Sequence, residues 1–108
     1  MRAVIDDGAV FYLNGTEGHR LRMAGPIGHG TFARDTVGDA SYEGPFDLSI
    51  ADLIVGENVL AVEVHQDDPG SSDIVFGLEL EAVETAQTSD GLGDAEAILA
   101  GLRVTEIM

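Results

Sequence analysis

The sequence contains no cysteine, no tryptophan and no lysine, and only three prolines in 108 residues. Without cysteine the chain has no disulfide, no thiolate metal site and no thiol nucleophile, which leaves its redox compartment undecided. Without lysine, Schiff-base chemistry and the lysine-dependent phosphate loop lose their usual parts. No nucleophile-elbow pattern is present. Basic side chains are scarce too: five arginines stand against twenty aspartates and glutamates, a formal charge of -15. A field of that sign repels phosphate backbones and anionic lipid, so neither nucleic acid nor a membrane is an expected partner. No apolar run approaches a membrane span, and the opening Met1-Arg2-Ala3-Val4-Ile5-Asp6 lacks the long apolar core of a signal peptide. Any secretion signal of the parent protein is expected outside this sequence.

What is present is enough apolar material for one core: 44% hydrophobic against 23% charged residues, with a mean hydropathy of +0.12. At this length one domain is expected, with no room for a second. The run Ala9-Val10-Phe11-Tyr12-Leu13 is β-branched and aromatic and is followed by Asn14-Gly15, a strong short-range hairpin signal. Period-two alternation places Phe11 and Leu13 on one face and Val10 and Tyr12 on the other, with residues 17–23 returning. Glycine-rich residues 24–30 and 38–45 read as loops. Alternation predicts a strand over residues 46–50. It also predicts a hairpin of residues 59–65 and 73–83, with Leu60, Val62 and Val64 facing one way and Ile74, Phe76, Leu78 and Leu80 lining one face of the second arm. Short strands with turn punctuation and no helical period predict an all-β protein, an antiparallel β-sandwich. Residues 84–94 read as a linker, and residues 95–108 as a short helical turn running into a strand. The expected division is therefore a module over residues 1–83, then a linker and the start of a following domain or an added edge strand over residues 84–108.

Three stretches carry a family resemblance: Asp6-Asp7-Gly8-Ala9-Val10-Phe11-Tyr12-Leu13-Asn14-Gly15, Gly56-Glu57-Asn58-Val59-Leu60-Ala61-Val62-Glu63-Val64-His65-Gln66 and Ser71-Ser72-Asp73-Ile74-Val75-Phe76. Together they resemble the galactose-binding-like jelly-roll modules of bacterial glycan-active proteins, many of which are carbohydrate-binding modules. The resemblance implies a jelly roll, binding of a polysaccharide such as a β-glucan without cleavage, a structural calcium ion, and secretion within a larger bacterial protein. Such modules usually have further strands before the Asp-Asp-Gly turn. Here the sequence starts almost at that turn, which implies a fragment truncated before its first strands, an uncovered strand edge and, from it, homo-oligomerisation. The terminal Arg103-Val104-Thr105-Glu106-Ile107-Met108 looks like the opening strand of a lamin-tail-like domain, able to pair back or across to a neighbour.

The acids cluster at strand ends. Asp6 and Asp7 precede one strand, Asp67 and Asp68 follow another, and Asp73 enters a third; if residues 9–13 lie antiparallel to residues 59–65, all five share one rim. Two carboxylates about 4 Å apart repel by roughly 4 kcal/mol at an effective dielectric of ~20, so such a cluster calls for a cation. Hard oxygen donors suit calcium better than zinc. The alternative is that these aspartates are turn residues bonded to nearby amides. Asp90 and Asp94 flank a glycine-rich stretch reminiscent of calcium-binding linkers but without the alternating ligands and closing glutamate of a full loop.

A sugar ring offers an apolar C–H face and a rim of hydroxyls, and its site needs an aromatic platform flanked by hydrogen-bonding groups. Tyr12 and Tyr42 are the candidate platforms, with Glu63, His65 and Gln66 as polar contacts. Each also has a structural role open to it: Tyr12 in a second core layer, Tyr42 pinning its loop, His65 as a bonded strand-end residue. His19, His29 and His65 have no metal-ligand spacing, and no catalytic constellation emerges, so the chain is expected not to be an enzyme. Abundant carboxylates are only weak grounds for glycoside hydrolysis. Asn14-Gly15-Thr16 fits a glycosylation sequon, which hairpin chemistry explains equally well. The rival to glycan binding is a structural spacer or protein-interaction module.

Overall fold

A computed structural model describes residues 1–71 and 73–82 together with a strand at residues 102–107. The described residues are all-β, with no helix. Six strands form: β1 (Arg2–Asp6), β2 (Gly8–Leu13), β3 (Thr16–Leu21), β4 (Asn58–His65), β5 (Val75–Glu79) and β6 (Leu102–Ile107). β1 and β5 make a two-stranded sheet, and the other four strands form a second sheet in the order β3-β2-β4-β6. All pairings are antiparallel except β4 with β6, which is parallel and runs from Asn58 opposite Leu102 to Glu63 opposite Ile107. The linker and helical turn expected over residues 84–101, including Asp90 and Asp94, lie outside the described residues.

The hairpin between β2 and β3 follows directly from its turn residues. Asn14 and Gly15 both take positive φ, 49° and 86°, the backbone that matches the twist of two antiparallel strands joined by a two-residue loop. Leu13 then sits opposite Thr16. Further along, Phe11 opposes His19 while Tyr12 opposes Glu17, which leaves Gly18 as an extra residue, and the Leu48 side chain closes to 3.1 Å of where its Cβ would be. At the other end of β2, a Cβ on Gly8 would meet the Ala33 Cβ and the Met23 sulfur, both at 2.8 Å. Glycine there lets the loop after β3 close onto the sheet.

Alternation along β2 and β4 sorts the side chains as the sequence predicts. Phe11, Leu60, Val62 and Val64 turn inward, and Ala3 and Ile5 of β1 meet them from the other sheet, all within one buried cluster edged by Phe46, Leu48, Phe76, Leu78 and Leu80. Fully burying such a side chain stabilises by about 1.5–3 kcal/mol each, so this shared interior is the main force joining the sheets. Val10 faces the opposite way with Met23, Ala33, Tyr12 and Ile27 in a second, smaller cluster.

Three expectations about the strands need correction. β1 is a full strand, in register with β5 from Arg2 opposite Glu79 to Asp6 opposite Val75; it escapes sequence reading because only Asp7 separates it from β2. β4 and β5 do not form a hairpin. Both edges of β4 are taken, by β2 and β6, so residues 66–74 carry the chain across to the other sheet, where β5 joins β1. Residues 46–50 are not a strand: Phe46 and Leu48 do pack on the core at alternate positions, but the segment enters no sheet. Ile74 also departs from its predicted companions, being 38% exposed while Phe76, Leu78 and Leu80 cover the core.

Two polar knots hold the loops. Asn58 is fully buried; its Nδ2 donates to the carbonyls of Ile54 (2.8 Å) and Gly56 (3.2 Å), and its Oδ1 accepts from the Ile54 amide and from Asn14 Nδ2, each at 2.9 Å. Asn14 also accepts from the Val59 amide at 2.8 Å and donates to the Asp52 carbonyl at 2.7 Å, so its side chain is committed to the loop rather than free for glycosylation. The second knot is Arg22. Its Nε donates to the Asp7 carbonyl at 2.6 Å, its Nη2 to the Ile5 carbonyl at 3.2 Å, and both terminal nitrogens grip the Glu43 carboxylate at 2.7 Å.

Replacing Asn58 by Ala strands the Ile54 backbone and Asn14 Nδ2, and the expected loss is about 2–4 kcal/mol by urea denaturation, since each orphaned buried group costs about 1–3 kcal/mol. Arg22→Lys keeps the charge but gives up the planar fork, with an expected loss of about 2–3 kcal/mol in the same measurement.

Candidate functional site

The outward face of β2 and β4 carries a chain of polar contacts. In β4 the residues between Leu60, Val62 and Val64 are Ala61, Glu63 and His65, and the register sets Glu63 opposite Val10 and His65 opposite Gly8. Tyr12 donates its hydroxyl to Glu63 Oε2 at 3.3 Å, and Glu63 Oε1 lies 2.6 Å from His65 Nε2. His65 Nδ1 lies 2.5 Å from the Thr31 carbonyl. A carbonyl only accepts, so Nδ1 is the donor to Thr31, and Nε2 faces the Glu63 carboxylate. Burial raises the Tyr12 hydroxyl above its ordinary pKa, and the adjacent Glu63 carboxylate adds to the effect. Both nitrogens of His65 are thereby engaged, and neither is left to take a proton from a substrate.

Where β4 ends, a pocket of about 180 Å³ opens, lined by His29, Gly30, Thr31, Phe32, Val64, His65, Gln66 and Ile74. It is smaller than the roughly 300–1,000 Å³ of sites for drug-sized molecules, a size for one ring rather than a chain. Its walls come from the loop after β3 and the loop after β4. The Ala33 amide donates to the Gln66 carbonyl at 2.8 Å and ties the two loops together. Phe32 leaves 51% of its surface exposed there, an apolar ring beside the polar groups of His65 and Gln66. Gln66 Nε2 donates to the Ser71 carbonyl at 3.0 Å, which fixes the amide and leaves its oxygen to accept.

Of the five residues proposed for sugar contact, His65 and Gln66 line this pocket, and Glu63 and Tyr12 stand behind His65 in one hydrogen-bonded row. Tyr42 is exposed but belongs to the loop that meets β1 through Glu43, and it does not line the pocket. Sequence reasoning missed His29, Thr31, Phe32 and Ile74. The one available signal was an aromatic residue in a glycine-rich loop, Gly28-His29-Gly30-Thr31-Phe32, where neither strand face needs it.

β2 runs antiparallel to β4, and the charges of Asp7, Asp67 and Asp73 all act on Asp6. Asp6 and Asp7 are both buried. Asp7 accepts from the amides of Val37 and Asp67, each at 2.9 Å, across two loops. Burial acts to raise its pKa, but these amides and the hydrogen bond from Asp6 outweigh burial and hold it below the usual carboxylate value. Asp6 goes the other way, from 3.8 to about 6, through burial first, then its hydrogen bond to Asp7 and the negative charges of Asp7, Asp73 and Asp67. The pair therefore keeps a proton on Asp6 in mild acid. Asp67 accepts from the Thr36 hydroxyl, and Asp68 accepts from the Gly70 amide at 2.5 Å within its own turn.

Among the described residues no three His, Asp or Glu side chains converge on a point that would hold a metal ion. Both oxygens of Asp7 accept from amides, while Asp67 and Asp68 each use one oxygen, for a hydroxyl and for an amide, as turn aspartates do. No protein-family model, no curated protein and no solved structure matches the chain.

Two buried groups set opposing pH dependences. Asp6 holds a proton in the folded state that the unfolded chain releases above pH 3.8, so its contribution to stability is full below that value and is lost as pH rises to about 6. His19 lies between the rings of Phe11 and Phe46, at centroid distances of 6.0 and 4.3 Å, with its Nε2 buried and unbonded. Burial lowers its pKa below 6.5, so its contribution is full above 6.5 and falls as the solution is acidified below that value. Asp6→Asn removes the first effect alone: its stability relative to the parent protein is expected to increase steadily from pH 4 to 7 in urea denaturation, and a pH-independent difference would contradict the assignment.

Proposed function

We propose that this chain is a non-catalytic carbohydrate-binding module, its two sheets packed as a jelly-roll sandwich, within a larger secreted bacterial protein. The observation that carries the reading is the half-exposed Phe32 ring set beside His65 and the fixed Gln66 amide in a one-ring pocket. An apolar face flanked by hydrogen-bonding groups is what a pyranose ring requires. The absence of an unengaged histidine nitrogen at His65 favours binding over turnover. Weak contact suffices for such a module, because tethering raises the concentration of an attached partner at a polysaccharide surface.

Gel retardation in soluble glucan, xylan, mannan and galactan tests the reading. At least one polysaccharide is expected to retard the protein, and Phe32→Ala, at an exposed position, is expected to abolish that retardation with the far-ultraviolet dichroism unchanged. Failure of every polysaccharide to retard the parent protein defeats it. Chelation with EDTA tests the structural calcium that the resemblance implies: a fall of several degrees in melting temperature supports an ion at the acidic rim, and an unchanged melting temperature removes it.

A specific observation favours the spacer reading as an alternative. Ile50, Ile54 and Val55 stand on the loop before β4 at 77%, 55% and 83% exposure, apolar surface suited to a neighbouring domain. The two readings separate by substitution, since Val55→Asp leaves glycan retardation intact on the first and is the disruptive change on the second.

A further inference from the structure

We infer that the Phe32 pocket, on the glycan-binding reading above, receives a sugar ring that is uncharged or carries an amine, and turns away uronates and sulfated sugars. The inference rests on where the positive charge of this chain is spent. It has five arginines and no lysine. Arg20 is paired with Glu17 at 2.6 Å, Arg22 with Glu43 at 2.7 Å and Arg34 with Asp35 at 3.1 Å. Among the described residues no arginine lines the pocket. Recognition of a carboxylate or sulfate ordinarily uses an arginine fork or a lysine, and the walls provide neither.

The polar side chains that line the walls are His29, Thr31, His65 and Gln66, with carboxylates behind them. With its nitrogen tied to the Ser71 carbonyl, the Gln66 amide keeps its oxygen as an acceptor. Glu63 sits directly behind His65, 2.6 Å from its ring nitrogen, and adds acidic character to that wall. Asp67, Asp68 and Asp73 occupy the same loop as Gln66 and Ile74. The Thr31 hydroxyl oxygen accepts from the Gly28 amide at 2.8 Å. Sugar hydroxyls and ammonium groups can donate to such a rim, whereas an anion meets oxygen lone pairs and a net field of the wrong sign. At about 8 Å and an effective dielectric near 40, one unpaired like charge changes affinity by about fivefold, and two by more than tenfold.

The test is an amide NMR titration of the intact chain at pH 7 and low salt with methyl glucoside, glucosamine and glucuronate. Glucoside and glucosamine are expected to move the Phe32 and Gln66 amide signals, glucosamine with affinity at least equal to the glucoside, and glucuronate to bind about tenfold more weakly or not at all. Ile74→Lys, at an exposed position on the pocket wall, is expected to strengthen glucuronate binding by about threefold, the worth of an exposed ion pair. Equal binding of glucuronate and glucoside by the parent protein overturns the charge selection while leaving glycan binding standing. Shifts confined to residues away from the pocket overturn its assignment, and no response to any of the three sugars, joined to no polysaccharide retardation, removes both readings together.

Discussion

The guanidinium of Arg22 is the contact on which the arrangement of this molecule depends. From the end of β3 it reaches the Ile5 and Asp7 carbonyls, where the chain passes from one sheet to the other, and it clamps Glu43 in the loop beyond. Glu43 in turn exchanges both backbone hydrogen bonds with Ala3, at 3.1 and 2.8 Å. A single side chain thus fixes the crossing of β1 into β2 and the loop that covers the outer edge of β1. With only Asp7 between those strands, the crossing has no turn residues of its own to hold its shape, and side-chain donors do that work.

Asp7 completes the junction from the other side. Its carboxylate gathers the amides of Val37 and Asp67, so the loop after β3 and the loop after β4 are referred to the same point that Arg22 holds by its backbone. The pocket walls are continuations of those two loops, with Thr31 and Phe32 on one and Gln66 and Ile74 on the other. Charge therefore builds the frame here and apolar surface fills it. Asp7 and Asp67, which the sequence offered as metal ligands, also serve in this framing role through an amide of each loop and the Thr36 hydroxyl.

How much was legible in the sequence follows from how local each signal is. The Asn14-Gly15 hairpin and the inward set Phe11, Leu60, Val62 and Val64 are local facts, a turn type and a period of two, and both stand in the structure. Pairing is not local. Nothing in residues 59–83 says that β4 is flanked by β2 and β6, and a polar loop between two alternating runs looks the same whether the runs pair or part. The short β1 had no punctuation before β2, and residues 46–50 alternate because Phe46 and Leu48 cover the core edge, which needs no ladder. At the site, Glu63 and His65 were visible as polar residues on a strand that buries its other face, and Gln66 as the residue next after it. Phe32 was hidden because an aromatic in a glycine-rich loop carries no period, and Tyr42 was overvalued because an exposed aromatic shows nothing of where its loop runs.

The parallel pairing of β6 with β4 has a temporal side. The partner of Asn58–His65 is not synthesised until residues 102–107, so a nascent chain that has already formed β2, β3 and β4 still shows a row of unsatisfied amides and carbonyls along one border. Until residues 102–107 emerge from the ribosome, that border is open to any extended peptide at hand. Pairing with β6 thus covers that border of β4 with a strand distant in sequence, and the outer margins of the sheet pass to β3 and β6.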